Sequence, residues 1–171
     1  MPSCLNTDAI DVKKIFMLAE QMKARPAKDF SDTKSEVEAM SSSTLHDKIW
    51  KPRRVRFDSL DWTLRRVQLS DCGVWPKMCG IDNRYCLGNV VQTAALLKQT
   101  MSTSLKEKLC AMKQRQKFMI NNLPIILVHG GMIRINPHYT QTKFDIEDGN
   151  TRAVLYCLTD PEKEVLALVG L

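Results

Sequence analysis

The feature that most constrains the fold is the alternation of short apolar runs and turn residues over the last 48 residues. The runs are IILVH, MIRIN, TKFDI, TRAVLYCL and EVLALVGL, and between several of them stand Gly-Gly, Glu-Asp-Gly-Asn and Thr-Asp-Pro-Glu-Lys. Glycine and asparagine tolerate a positive φ and proline presets φ, so these residues are typical of tight turns. The pattern predicts a C-terminal antiparallel β-meander.

Two helices are predicted before the meander. Asn89 is a suitable N-cap for a segment in which residues 90–97 form a broad apolar face. Residues 104–107, Ser-Leu-Lys-Glu, have the pattern of a capping box, which predicts a second helix reaching about Asn121. Both helices are expected to pack against the meander.

The N-terminal part of the chain has a different character. Residues 7–25 carry apolar side chains at helical spacing and are followed by Pro26, which predicts an amphipathic helix. Residues 26–48 are polar and serine-rich, which favours a flexible linker. From Ile49 onwards, aromatic and β-branched residues in short alternations predict one or two strands, interrupted near Asp58.

These patterns together predict an α+β fold. Its C-terminal antiparallel β-meander is packed with two helices and is preceded by an N-terminal helix on a flexible tether. The predicted domains are residues 1–48, which hold the N-terminal helix and polar linker, and residues 49–171, which form the α+β domain.

One motif suggests an enzyme at first sight. His129, Gly130 and Gly131 end an apolar run, as in the oxyanion strand of an α/β-hydrolase. That fold places its nucleophile elbow, G-x-S-x-G, after this strand, but no serine follows Gly131 in this chain. The motif therefore predicts a hairpin turn with both glycines at positive φ. Further along the chain, Asp145, Glu147 and Asp148 precede Gly149 and are predicted to form the solvated end of another hairpin.

The cysteines leave one alternative open. The chain has six cysteines, and its first residues lack the apolar stretch of a secretory signal, so reduced thiols and no cofactor are expected. Cys72, Cys79 and Cys86 are spaced seven apart, without the paired C-x₂₋₄-C turn of zinc knuckles. A zinc- or cysteine-dependent small enzyme at these residues remains the weaker hypothesis.

Charge is concentrated in the middle of the chain. Residues 49–123 carry 14 Lys and Arg against five Asp and Glu, a net charge of +9, whereas both ends are slightly acidic. Such a block indicates an anionic partner, which is nucleic acid, an acidic lipid surface or an acidic protein.

The cations fall into two predicted binding clusters. The first consists of Lys51, Arg53, Arg54, Arg56, Arg65 and Arg66. Trp50 and Trp62 lie among these cations, and an exposed aromatic ring can stack on an unpaired base. The alternative is that the aromatic rings face the core and the arginines lie on the solvated face of a strand.

The second cluster belongs to the two predicted helices and consists of Lys98, Lys106, Lys108, Lys113, Arg115 and Lys117. On a helical projection, the cations that follow Leu105 flank an apolar stripe. Three interpretations follow: a core helix with solvated flanks, a helix facing phosphates, or a helix lying on an acidic membrane.

The predicted function is that of a non-enzymatic basic structural or adaptor protein. It would bind RNA, ribonucleoprotein or an acidic membrane surface through residues 51–66 and 98–117, and self-associate through its N-terminal helix. A purely protein-binding regulatory module is a further alternative. No apolar run approaches the roughly 18 residues of a membrane span, so a cytoplasmic or nuclear, non-secreted protein is expected.

In gross organisation, with a basic centre, an N-terminal arm and a compact α+β body, the chain resembles small viral matrix or accessory proteins. The resemblance implies condensation of ribonucleoprotein and contact with membranes. It assigns no site residues.

Overall fold

A computed structural model describes residues 5–74, 88–133 and 142–171 of the chain. These residues form helices and one mixed sheet, which confirms the predicted α+β class. The helices are α1 (Ala9–Ala24), α2 (Phe30–Glu38), α3 (Ser42–Lys48), α4 (Lys51–Ser59), α5 (Val90–Gln99), α6 (Thr103–Arg115), α7 (Lys117–Asn122) and α8 (Asn150–Thr159). The strands are β1 (Leu5–Thr7), β2 (Trp62–Gln68), β3 (Cys72–Gly73), β4 (Ile125–His129), β5 (Phe144–Asp148) and β6 (Glu164–Gly170).

The sheet has the strand order β1-β2-β6-β4-β5-β3. Its longest ladder joins β2 and β6 in antiparallel register, from Trp62 opposite Gly170 to Gln68 opposite Glu164. β4 is antiparallel to β5 but parallel to β6, and α8 connects β5 with β6 on the opposite side of β4. The sheet is therefore mixed, whereas the predicted meander is purely antiparallel.

Helices cover both faces of the sheet. Successive side chains of a strand point to opposite faces, and in β4 Ile125 and Leu127 pack with α5, α6 and α8. Ile126 and Val128 pack on the other face, in a cluster with residues of α1 to α4. Burial on both faces explains why β4 reads as a continuous apolar run. No helix in the described part of the chain is both long and apolar enough to cross a bilayer.

The segment 51–59 forms α4, so the strand predicted there is wrong. Pro52 lies in the first turn of α4, where its missing N–H costs nothing. Arg53, Arg56 and Phe57 face inward with helical spacing, and this period prevails over the short alternation of Val55 and Phe57. The strand predicted from Trp62 onwards is confirmed as β2.

The run TRAVLYCL is also helical, and its predicted strand is wrong. Ala153 and Cys157, four residues apart, are both fully buried in α8. An apolar run of this length has no period that distinguishes a buried strand from a buried helix. Gly149, predicted within a hairpin turn, precedes α8 with φ +102°.

The turn after β4 is partly as predicted. Gly131 has a positive φ of +86°, whereas Gly130 does not have a positive φ. A Cβ at Gly130 would lie 1.9 Å from the carbonyl oxygen of Thr142, so this glycine permits a close backbone approach instead. The predicted strand MIRIN lies mostly outside the described residues.

The N-terminal helix is confirmed as α1, but its setting differs from the predicted flexible tether. Residues 26–48 contain α2 and α3, whose N-caps Asp29 and Ser41 accept hydrogen bonds from backbone N–H groups. Leu45 is fully buried, in the same hydrophobic cluster as Phe16 of α1. The boundary after residue 48 stays a prediction, since this cluster includes residues from both sides of it.

Packing of α1 also changes the basis for self-association. The apolar side chains of α1 face α2, α4 and the sheet of the same chain. Self-association through α1 therefore stays a prediction, without the exposed apolar stripe that motivated it.

Candidate functional site

The first predicted cluster does not form one basic surface. Arg53 and Arg56 both donate to the carboxylate of Glu147, whose side chain is fully buried. Arg56 Nε lies 2.9 Å from Glu147 Oε2, and its Nη2 lies 3.0 Å from Oε1. The Arg53 guanidinium also lies 4.5 Å from the centre of the Phe16 ring. These two arginines hold α4 and α1 against β5, which corrects their predicted role as free phosphate ligands.

The other cations of the first cluster lie in different environments. Arg54 donates to the carbonyl oxygen of His46. Arg65 lies with its guanidinium 5.4 Å from the Phe144 ring centre, and its Nε is buried without a hydrogen-bond partner. Lys51 and Arg66 are exposed. The fold thus brings only part of this cluster to solvent.

The two tryptophans have opposite environments. Trp62 is 3% exposed, its Nε1 donates to the Phe57 carbonyl at 2.9 Å, and its ring packs edge-on against Phe57. It lies on the sheet face that α1 and α4 cover, which leaves no open ring face for a base. This corrects the predicted stacking role of Trp62, whereas Trp50 is 65% exposed.

The acidic residues predicted at a solvated hairpin end are buried. Asp148 accepts from Lys23 Nζ at 2.7 Å and from Arg152 Nη2 at 2.8 Å. Burial alone would raise the pKa of Asp148, but the attraction of Lys23 and Arg152 holds it below its ordinary value. Asp145 accepts from the backbone N–H groups of Gly131 and Ile133 at 2.9 and 3.0 Å, and burial raises its pKa. These carboxylates join elements of the fold and are not open to solvent.

The second predicted cluster is exposed, as its proposed role requires. Lys98 lies on α5, and the remaining members lie on α6 and α7: Lys106, Lys108, Lys113, Arg115 and Lys117. The intervening apolar residues Leu109 and Met112 are buried in the core. The predicted single helix begins at Thr103, where Ser102 and not Ser104 accepts from the N–H of Leu105. It is divided into α6 and α7 at Gln116.

A groove adds two further cations, Arg66 and Lys163, beside Lys113 of this surface. It has a volume of about 430 Å³ and lies where α6, α7 and α8 meet the start of β6. Arg66 from β2, Lys113 from α6 and Lys163 from the turn before β6 all line it. No described carboxylate forms an ion pair with any of the three. We call this depression, with its three cations, the basic groove.

Other side chains complete the basic groove. Glu164 also lines it and accepts from Gln68 Nε2 at 3.3 Å, so the groove has one carboxylate beside its three cations. Lys163 Nζ lies 5.0 Å from the centre of the Tyr156 ring, and the Tyr156 hydroxyl donates to the carbonyl of Ile120. The amides of Asn121 and Asn122 lie at the end of α7.

Sequence reasoning missed Lys163, Asn121 and Tyr156. Lys163 lies in a segment predicted to be an ordinary solvated turn, and Tyr156 in a segment predicted to be a strand. Only the β2–β6 register, with Arg66 opposite Leu166, brings Arg66 of the first cluster beside the end of α8. No local signal in the sequence contains this long-range pairing.

The described residues give little support to the hypothesis of a zinc- or cysteine-dependent enzyme. Cys72 is fully buried, and burial raises the pKa of its thiol to about 12, so this thiol is neutral and a weak nucleophile. Cys79 and Cys86 lie outside the described residues. Across residues 5–74, 88–133 and 142–171, no three His, Cys, Asp or Glu side chains are grouped as a metal site would require.

Comparison of the chain with models of protein families, with curated proteins and with solved structures finds no match. The function of the basic groove is therefore inferred from its geometry and charge alone.

Proposed function

We propose that this protein is a non-enzymatic RNA-binding protein whose binding surface comprises the basic groove and the exposed cations of α5 to α7. The observation that carries the proposal is the convergence of Arg66, Lys113 and Lys163, from three separate elements, on one groove. Lysine and arginine side chains neutralise phosphates and release condensed counterions, which drives binding.

Charge along α6 and α7 supports the same proposal. Residues 103–122 carry five Lys and Arg but only one acidic residue, Glu107. Lys113 of α6 lines the groove, and the other cations of α6 and α7 extend the positive field along these helices. An anionic polymer bound in the groove would therefore also experience the positive field of α6 and α7.

RNA is favoured over an acidic membrane because of where the apolar side chains lie. An interfacial helix binds a bilayer by burying an exposed apolar face among the headgroups. In α6 and α7, Leu109, Met112 and Met119 are instead buried within the protein, and Phe118 is the large apolar side chain of these two helices that is exposed. We therefore expect the cations to contact phosphates of RNA, in the cytoplasm or nucleus, and membrane binding becomes an outcome of the test.

The test is the affinity for a labelled RNA, measured by fluorescence anisotropy on two variants of equal net charge. The first replaces Lys106, Lys113 and Lys117 with glutamine, and the second replaces Lys14, Lys34 and Lys48, which lie on α1 to α3. We expect the first to weaken binding by at least about tenfold, because phosphate contacts are lost. The second should stay within about twofold of the unmodified protein.

Two results would overturn the proposal. Equal weakening by both variants would mean that net charge alone attracts the RNA. Binding to vesicles with acidic lipids but not to RNA would assign the surface to a membrane.

A further inference from the structure

We infer that the basic groove holds one unpaired nucleotide of the bound RNA, so that the protein prefers single-stranded to duplex RNA. This inference rests on the proposed RNA-binding function. It adds a recognition element to a surface that otherwise contacts only phosphates.

The size and walls of the groove suit a nucleotide. Its volume of about 430 Å³ lies within the range of roughly 300–1,000 Å³ that is usual for small-ligand sites. Its walls are largely apolar and include Ile120, Leu155, Val165 and Leu166. Apolar walls accommodate the faces of a base, which a site for phosphate alone does not need.

Polar groups at one end of the groove suit the edge of a base. Asn122 Nδ2 donates to the Phe118 carbonyl at 2.8 Å, which leaves its Oδ1 as an acceptor. The exposed side chain of Asn121 makes no hydrogen bond to the described residues. An asparagine amide offers both a donor and an acceptor, as the edges of bases require.

The cations are placed for the phosphates on either side of that base. Arg66 and Lys113 line the groove from different elements, so each can contact a phosphate of a strand bound there. Lys163 is held over the Tyr156 ring, and the Tyr156 hydroxyl is anchored on the Ile120 carbonyl. Tyr156 therefore acts as a positioning residue for the Lys163 ammonium.

Duplex RNA fits this arrangement poorly. Its bases are paired and stacked, so only its phosphates reach the surface, whereas an unpaired base is free to enter the groove. The cations of α6 and α7 can contact the phosphates of both kinds of RNA, whereas the interior of the basic groove can hold a base of the single strand only.

The experiment compares single-stranded and duplex RNA of equal length in the anisotropy assay, with Asn121→Ala and a control, Gln99→Ala. We expect the unmodified protein to bind the single strand at least about fivefold more tightly than the duplex. Asn121→Ala should reduce this ratio and leave duplex affinity unchanged, and Gln99→Ala, at an exposed amide at the end of α5, should change neither.

A second measurement records amide and side-chain NMR shifts on titration with adenosine or uridine 5′-monophosphate, with inorganic phosphate as the reference. Shifts at Asn121 and Leu166 caused by the nucleotides but not by phosphate would support the inference. Salt-sensitive RNA binding with equal affinities for both RNAs and a neutral Asn121→Ala would overturn it and leave the proposed function standing. No RNA binding at all would overturn both.

Discussion

Four cationic side chains surround two buried carboxylates at the junction of β5 and α8. Glu147 binds Arg53 and Arg56, and Asp148 binds Lys23 and Arg152. A buried charge is costly unless it is paired and hydrogen-bonded, and removal of one partner leaves the other uncompensated. At the scale of single residues, these ion pairs hold α1 and α4 against the sheet. They also engage three arginines within the fold, so these side chains are not free to bind a ligand.

Replacement of Asp148 by asparagine should change how stability depends on pH. The pKa of Asp148 is lower in the folded protein than the unfolded value of about 3.9. Its stabilising contribution is therefore complete above that value and is lost as the pH falls through the lower folded pKa. We expect the difference in unfolding free energy between the protein and Asp148→Asn to be constant from about pH 5 to 7 and to shrink below about pH 4.

Urea unfolding at a series of pH values measures this difference. Comparison with the variant cancels the contribution of Asp145, whose pKa burial raises. Asp47→Asn, at an exposed position of α3, is the control and should leave the profile unchanged. A difference that stays constant down to pH 2 would contradict the proposed ion pairs.

At the scale of helices and strands, elements with a local signature could be predicted from the sequence. Asn89 caps α5 in a capping box, and α1 follows its apolar period. α4 and α8 could not be predicted in this way. Whether each segment forms a helix or a strand depends on which of its side chains the rest of the fold buries. The candidate site also has a predictable and an unpredictable part. The lysines of α6 could be predicted from the helical pattern, but the groove could not, because it depends on the pairing of β2 with β6.

A side chain at Gly149, in the turn into α8, should destabilise the protein more than a side chain at Gly131. Gly131 and Gly149 both have a positive φ, but a Cβ at Gly131 meets open space, whereas one at Gly149 would lie 2.7 Å from Ile125 Cγ2. We expect Gly131→Ala to cost about 1–2 kcal/mol of unfolding free energy from backbone strain alone. Gly149→Ala should cost a further 1–3 kcal/mol, roughly, from overpacking. Guanidinium unfolding of both variants measures the contrast, and equal losses would contradict this account of the turn.

At the scale of the whole molecule, two helical layers enclose the sheet and have different roles. The layer of α1 to α4 is fastened to β5 by the buried ion pairs, and its cations are largely engaged within the fold. The exposed cations of the second cluster lie on α5, α6 and α7, and the basic groove lies where α6, α7 and α8 meet the start of β6. Binding is therefore expected around α6, α7 and the basic groove, with the layer of α1 to α4 serving as a support.

The residues between α1 and α4 should contribute to global stability. Leu45 of α3 is fully buried in the cluster that contains Phe16 and Ile126. We expect Leu45→Ala to lower the unfolding free energy by about 2–5 kcal/mol, as for other buried leucines. Ser43→Ala, an exposed position of the same helix, is the control. A loss below about 0.5 kcal/mol would instead support the predicted flexible tether.

The most direct test of the basic groove as an RNA-binding site is the salt dependence of RNA affinity. Each phosphate neutralised on a single strand contributes about −0.7 to the slope of log affinity against log salt concentration. A variant with Arg66, Lys113 and Lys163 all replaced by glutamine should therefore have a slope about 2 units shallower than the unmodified protein. A slope that these three substitutions leave unchanged would contradict the claim that the groove contacts phosphates.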